Sequence, residues 1–515
     1  MATNWTDGYQ TEVNYTYGYY KELSPNFQKF CLLVNGIDTL NDTEQQQHCE
    51  LGFGQGVSIN VHAASSNGLF YGTDFNPAHA AHANMLAKKS KAPHHFYDAS
   101  FEELLNSDLP QFDSISLHGI WSWISHENQA IILKFIRQYL KPNGIVYVSY
   151  NCLTGWAANM PIRELFHSHY EYNSKSLNPI QKVQDSLQFS EALLQQQPLF
   201  AKRNPHALQK VIELQKQNPH YLIHEYLNQD WQCFSFQQVM RTMDSVKLSY
   251  AGSSDLNSHL DKINFTAQHQ EFLNSIEHPI LKEQCRDYFT NSQFRRDLYI
   301  RGKNTLSPLQ LKHRLKQISF VLLSAPHQIP MKISGHLGEF NLLQEIYTPL
   351  TQCFLQHDYA PLTLEQVINE TQLDFAAVLN AVVILCHSGH MQPCLEQPSE
   401  AVVQQSQRLN QFLLQQASFH SQYSVLANPY SGIGIPVDQF AQLFYRAYFI
   451  EKLTTKEQFA DFVLKTLQSL NLLVLNDQGE AVTDPTISRE IVLQKAQNFL
   501  DADHIKIAQQ LKLFA

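Results

Sequence analysis

Charge is scarce in this sequence. Asp, Glu, Lys and Arg make up 16% of 515 residues, and the net charge is -10. No basic stretch forms a phosphate-tracking face, so nucleic acid is not expected as a partner. Long apolar runs are also missing. No segment approaches the roughly 20 apolar residues needed to span a bilayer, and Met1–Tyr20 lacks the basic and apolar regions of a signal peptide. A cytoplasmic protein without stable membrane association is expected. The eight cysteines stand without a C-x-x-C pair, which signals neither a disulfide framework nor a zinc ribbon. Among the 24 histidines, pairs such as His79/His82 and His94/His95 lack matching ligands, and no metal centre is expected. Glutamine and asparagine stand in for much of the missing charge.

What is present begins with Glu50-Leu51-Gly52-Phe53-Gly54-Gln55-Gly56, an E-x-G-x-G-x-G run. Alternating glycines permit a tight turn with positive φ and remove the β-carbons that would hold a nucleotide-like ligand off the backbone. A dinucleotide site would space its glycines G-x-G-x-x-G. Asp74 follows the apolar segment Leu69–Thr73 and Asp98 follows His95-Phe96-Tyr97. At the ends of the second and third strands, these acids suit ribose hydroxyls and an adenine amino group respectively.

From about Phe27 to Tyr150, helices and strands alternate as in a doubly wound parallel α/β sheet. Its last strand is read as Gly144–Tyr150, after the helix Asn128–Leu140 and the turn Lys141-Pro142-Asn143-Gly144. Residues 161 to about 218 form amphipathic, glutamine-rich helices punctuated by Pro179, Pro198 and Pro205. A mixed segment with Arg295, Arg296 and Arg301 follows. The last 200 or so residues twice repeat helix, turn and apolar strand, consistent with a winged-helix-like unit. Residues 371–386 carry no basic side chain, which favours packing or protein docking over DNA reading.

The glycine spacing with Glu50 resembles motif I of class I S-adenosylmethionine-dependent methyltransferases. His118-Gly119-Ile120-Trp121-Ser122-Trp123-Ile124, Leu140–Gly144, Val148-Ser149-Tyr150-Asn151 and Gly155-Trp156 resemble the bacterial members that carry a methyltransferase regulatory domain, a group that includes protein lysine methyltransferases. Gly8–Tyr15 and Glu22-Leu23-Ser24-Pro25 look like that family's N-terminal segment, which folds over the cofactor. His224-Glu225-Tyr226-Leu227-Asn228, Leu248–Ser253 and Arg295-Arg296-Asp297 resemble the regulatory domain. Two features depart from the pattern. The first strand, Gln46-Gln47-His48-Cys49, is polar for a central parallel strand, and no N-P-P-Y follows the fourth strand, which disfavours amide and adenine methylation.

The resemblance implies an α/β fold: a Rossmann-like class I methyltransferase domain over 1–160, a helical connector over 161–217, a mixed regulatory domain over 218–305 and a winged-helix-like C-terminal domain over 306–515. It implies S-adenosyl-L-methionine held by Tyr17, Glu50, Gly52, Gly54, Gln55, Gly56, Asp74, Phe75, Asp98, Ala99 and His118. Trp121, Trp123, Tyr150 and Trp156 are the candidates for the acceptor channel, with Tyr15 or Tyr17 closing it and Asn151 orienting the amine through its carbonyl; of the aromatics, Trp123 is the one read as only structural. For Arg295, Arg296 and Arg301, an ion-pair cluster with Asp297 and Glu283 is favoured over an acidic substrate surface. No dedicated general base is evident. The acceptor expected is a protein lysine side chain. The alternatives are a small-molecule N- or O-methyltransferase and a cofactor-binding interaction module without turnover. A homodimer is left open.

Overall fold

Five parallel strands carry the core: β1 (Gln47–Leu51), β2 (Leu69–Asp74), β3 (His94–Asp98), β4 (Phe112–Leu117) and β5 (Leu140–Asn151). With β6 (Ser249–Ser253) and β7 (Phe294–Ile300) they form one seven-stranded sheet in the order β3-β2-β1-β4-β5-β7-β6. The computed structural model describes residues 16–39, 45–174, 176, 178–395, 397–476 and 478–515. Parallel strands need crossovers, and the helices supply them: α1 (Pro25–Val34), α2 (Val57–Ser65), α3 (Pro77–Ser90), α4 (Phe101–Leu105) and α5 (His126–Tyr139). Side-chain caps start most of them, such as Ser24 under α1, Asn76 under α3 and Ser125 under α5.

The polar first strand is accommodated by pairing. His48 is buried and its Nδ1 pairs with Ser114 Oγ at 2.8 Å. The Gln47 amide donates to Asp113 Oδ2 at 2.7 Å, and Lys141 neutralises that carboxylate from 2.8 Å. Burial holds the His48 ring neutral, well below its usual pKa. A central strand without an apolar run is thus satisfied by its neighbour β4.

The boundaries drawn at 160 and 218 do not close the sheet, because β6 and β7 come from the regulatory segment. β7 runs antiparallel to β5, from Ile145 opposite Ile300 to Asn151 opposite Phe294. This pairing is locked by a buried cluster. Arg295 donates from Nε to Asp297, from Nη1 to Asp287 at 2.6 Å and from Nη2 to Glu283 at 2.7 Å. Tyr150 Oη donates to Asp297 at 2.7 Å. Arg301 donates to the carbonyls of Ile136 and Leu140 at the end of α5, where a cation suits the helix dipole. Arg295 therefore belongs to an internal ion-pair network and Arg301 to a helix cap, while Arg296 keeps a partly exposed position 3.9 Å from Glu22.

The C-terminal residues cover one face of this sheet instead of standing apart. The helix Glu400–Gln416 packs on α2 and α3, and Ser406 donates to the Ala64 carbonyl at 2.9 Å. All nine residues of α2 are buried, including Ser58, Asn60 and His62. A single apolar core runs from Leu23 and Phe27 through α2 and α3 to Leu513. Further out, three strands, β8 (Ser319–Leu322) with Leu362–Thr363 and Met391–Cys394, pack with the helices Gln344–Gln356, Leu364–Thr371 and Phe375–His387. The connector helices form their own core around Trp156, Val183, Val211 and Tyr226.

Arg295→Ala leaves the buried carboxylates of Asp287 and Asp297 without their cation, and a loss of about 3–5 kcal/mol is expected. Denaturation followed by tryptophan fluorescence measures it; a midpoint equal to the parent's would remove the cluster from the stability of the sheet.

Candidate active site

The E-x-G-x-G-x-G run forms the turn between β1 and α2, and each of its glycines has a left-handed backbone, with φ of 75°, 56° and 71°. That conformation is costly for any residue with a β-carbon. Space forbids one too: a β-carbon at Gly52 would strike the Ile120 side chain, and one at Gly56 would strike Ala83. The loop is tied to the end of β2. The amides of Gly52 and Phe53 donate to the Thr73 carbonyl, and the Gly54 amide donates to Asp74 Oδ2 at 2.8 Å. The other oxygen, Oδ1, accepts from the Asn76 amide at 3.0 Å and pairs with His79 Nδ1 at 3.1 Å.

Around this turn lies a cavity of about 1210 Å³, a volume that includes the open solvent at its mouth. Its floor is Glu50, Gly52, Gly54, Gln55, Gly56 and Asp74; its sides are Phe75, Ala99, Phe101, His118, Ile120 and Trp123. Thr16, Gly18, Tyr20 and Leu23 close it from above. That strap is clamped by the C-terminal residues. The Gly434 amide donates to Tyr19 Oη, Lys21 Nζ donates to the carbonyls of Cys386 and His387, and Ser24 Oγ donates to the Gly432 carbonyl. The Tyr20 amide donates to Ser58 Oγ at 2.9 Å, which fixes the strap to α2 as well.

Nine of the expected cofactor residues line the cavity: Glu50, Gly52, Gly54, Gln55, Gly56, Asp74, Phe75, Ala99 and His118. Two do not. Tyr17 turns away to pack on His82 and Tyr423, and the Asp98 side chain is exposed at the end of β3. Tyr15 and the Gly8–Tyr15 stretch lie outside the described residues. Of the expected acceptor-channel residues, Trp121 and Tyr150 are packed in the core beneath the sheet. Trp156 stacks edge-on to Trp231 in the connector core. Asn151 is buried at the carboxyl end of β5, opposite Phe294. Conversely, Trp123, read as structural, faces the cavity from the short 3-10 turn Trp121–Trp123. In such a turn, side chains two apart point in different directions, so sequence spacing does not say which tryptophan faces in.

The aromatic end of the cavity is built from three segments. Tyr20 of the strap lies 3.9 Å from the His118 ring centroid, and Phe294 of β7 contacts both His118 and Trp123. His118 Nδ1 pairs with Tyr147 Oη at 2.7 Å, and burial together with Arg296 drives its pKa down to about 3. It is a neutral ring at physiological pH. On its other side, Phe294 lines a second, polar cleft with Asp255, Ser258, Glu283 and Arg286.

Glu50 is buried in the cavity floor, and its pKa rises from 4.5 to about 8 through burial and then the charge of Asp74. The folded chain therefore holds a proton there that the unfolded chain releases. Stability is fully present below pH 4.5 and falls, on the order of a few kcal/mol, as pH rises to about 8. Glu50→Gln is expected to flatten that limb in thermal melts between pH 5 and 9; a parallel limb in the variant refutes the assignment.

Comparison with known proteins agrees with this architecture. Residues 49–146 match the family model described as a methyltransferase domain, and residues 218–301 match the one described as a predicted methyltransferase regulatory domain. An uncharacterized protein, sll1526 of Synechocystis sp., is 33% identical over 98% of this chain and 99% of its own length. The uncharacterized protein RP789 of Rickettsia prowazekii is 28% identical over 50% of this chain and 46% of its own. The structure of PKMT2 from Rickettsia typhi in complex with AdoHcy superposes with a TM-score of 0.68, at 19% identity, over 97% of this chain and all of that one. The sheet order, the glycine turn and these full-length matches together establish that the chain belongs to the class I S-adenosylmethionine-dependent methyltransferases that carry a methyltransferase regulatory domain.

Proposed function

We propose that this methyltransferase modifies lysine side chains of a protein. The observation that carries the reading is Phe294, which packs against His118 and Trp123 of the donor cavity's lining and itself lines the polar cleft of the regulatory segment. A polar cleft set beside the aromatic residues of that cavity suits a long side chain presented from a polypeptide. The resemblance to bacterial protein lysine methyltransferases and the full-length likeness to PKMT2 support the same choice.

The cavity's donor set fits S-adenosyl-L-methionine. Glu50 and Asp74 offer carboxyl oxygens to its hydroxyl and ammonium groups, the bare backbone of Gly52 to Gly56 allows close approach, and Phe75, Ala99 and Phe101 give an apolar slot for a base. His118 closes the reactive end. Once bound, the sulfonium supplies an activated methyl group. The chain's own task is alignment, which contributes ~7 to 11 kcal/mol in well-oriented reactions. It must also present the acceptor amine unprotonated, against a solution pKa of about 10.4. His118 is too weak a base for that, and Tyr150 is committed to Asp297. Glu225 is the better choice. Burial lifts its carboxyl to about 7 against the lowering influence of Asn151 and Arg163. Tyr221, one turn before it on the helix Pro219–Tyr226, couples electrostatically to Tyr20 of the cavity wall.

Two experiments test this. Incubation with isotopically labelled methyl donor and a cell lysate is expected to place label on lysine in polypeptides. Label confined to small molecules overturns the acceptor class in favour of a small-molecule methyltransferase, and donor binding without any label indicates a binding module. The second concerns the proton. Activity is expected to rise through pH about 7 as Glu225 ionises, and Glu225→Gln to lower kcat by about 100-fold with donor affinity intact and that limb flattened. A pH–rate profile unchanged in the variant removes Glu225 from the reaction.

A further inference from the structure

We propose that Cys353, His357 and Glu370 bind one borderline divalent transition-metal ion, zinc in particular, which clasps two helices of the C-terminal region. Cys353 lies in the last turn of the helix Gln344–Gln356, and His357 is its C-cap. Four residues apart, they share one face of that helix end. Glu370 reaches them from the last turn of Leu364–Thr371. Its Oε2 is 3.3 Å from Cys353 Sγ and 2.9 Å from His357 Nε2, and one donor atom from each residue lies within 4.8 Å of the others. Among the described residues this is the group of His, Cys, Asp and Glu side chains gathered closely enough to hold an ion.

Three arguments favour a cation here. Zinc bonds of about 2.0–2.3 Å in a tetrahedron place ligand atoms roughly 3.3–3.6 Å apart, so the two separations from Glu370 need to open by only a few tenths of an ångström. One sulfur, one imidazole nitrogen and one carboxylate oxygen suit zinc and its first-row neighbours, whereas calcium and magnesium take oxygen donors. Both helices also end at the site, so the negative ends of two helix dipoles converge on it. A route in exists, because the side chains of His357 and Glu370 are 41% and 40% exposed while Cys353 is buried. The fourth corner faces solvent. On binding, the Cys353 thiol releases its proton to the solution and ligates as thiolate. None of the three residues lines the donor cavity, so the role is structural: the ion ties Gln344–Gln356 to Leu364–Thr371.

The test uses the full chain, stripped with chelator and titrated with Co²⁺ as a spectroscopic probe, then with Zn²⁺. One equivalent of cobalt is expected to bring a thiolate charge-transfer band in the near ultraviolet and tetrahedral ligand-field bands, all displaced by zinc. Cys353→Ser is expected to abolish the charge-transfer band. Glu370→Gln alters a half-exposed side chain without touching the core, and is expected to weaken zinc by more than the 10–100-fold typical of losing an outer partner. No charge-transfer band in the parent chain, the same band in Cys353→Ser, or an unchanged zinc affinity in Glu370→Gln overturns the site. Donor binding, measured alongside, is expected to stay the same in both variants.

Discussion

The pairing of β7 with β5 is the contact on which the active end depends. Seven registered residue pairs, from Ile145 with Ile300 to Asn151 with Phe294, join two segments separated by most of the connector and regulatory sequence. Alternation along β7 then divides its side chains between two jobs. Arg295, Asp297 and Tyr299 fall on the face of Tyr150, where they form the buried ion-pair cluster. Phe294 and Arg296 fall on the face of Tyr147 and line the polar cleft, with Phe294 packed against His118. A slip of one residue would send every side chain to the wrong face, burying Arg296 unpaired and withdrawing Phe294 from the site. The Arg295 cluster guards against that slip.

Seen this way, the regulatory segment is part of the catalytic body. It completes the sheet and packs Phe294 against His118 and Trp123 of the cavity lining. The C-terminal residues do comparable work from the opposite side. They bury α2 and α3 under Glu400–Gln416 and hold the strap through Tyr19, Lys21 and Ser24. The strap is thus a shared element, gripped at once by the donor domain and by residues nearly 400 positions away.

Legibility was uneven along the chain, for identifiable reasons. The glycine turn, the strand-end acids and the helix of residues 126–139 rest on local rules: positive φ, strand ends and apolar periodicity. Tyr150 and Trp121 were drawn to the site by their motif neighbours, but Tyr150 alternates to the face that Asp297 covers, and Trp121 points into the core from a tight turn. Phe294 and the strap residue Tyr20 carry no local signal, and Glu225 stands out in the sequence only within a motif that resembles the regulatory domain. Their roles arise from where β7 and the first regulatory helix dock.

The sequence by itself determined the donor side, because backbone conformation, loop glycines and strand-end carboxylates are properties of short contiguous segments. The acceptor side was decided only by the tertiary structure. Tyr20, His118 and Trp123 meet in the cavity lining with Phe294 packed against two of them, and which face each presents depends on register, on a 3-10 turn and on burial by distant chain. The same holds for Cys353, His357 and Glu370, whose convergence requires two helix ends to meet. Short-range geometry is written in the local pattern, and long-range juxtaposition is written in the packing.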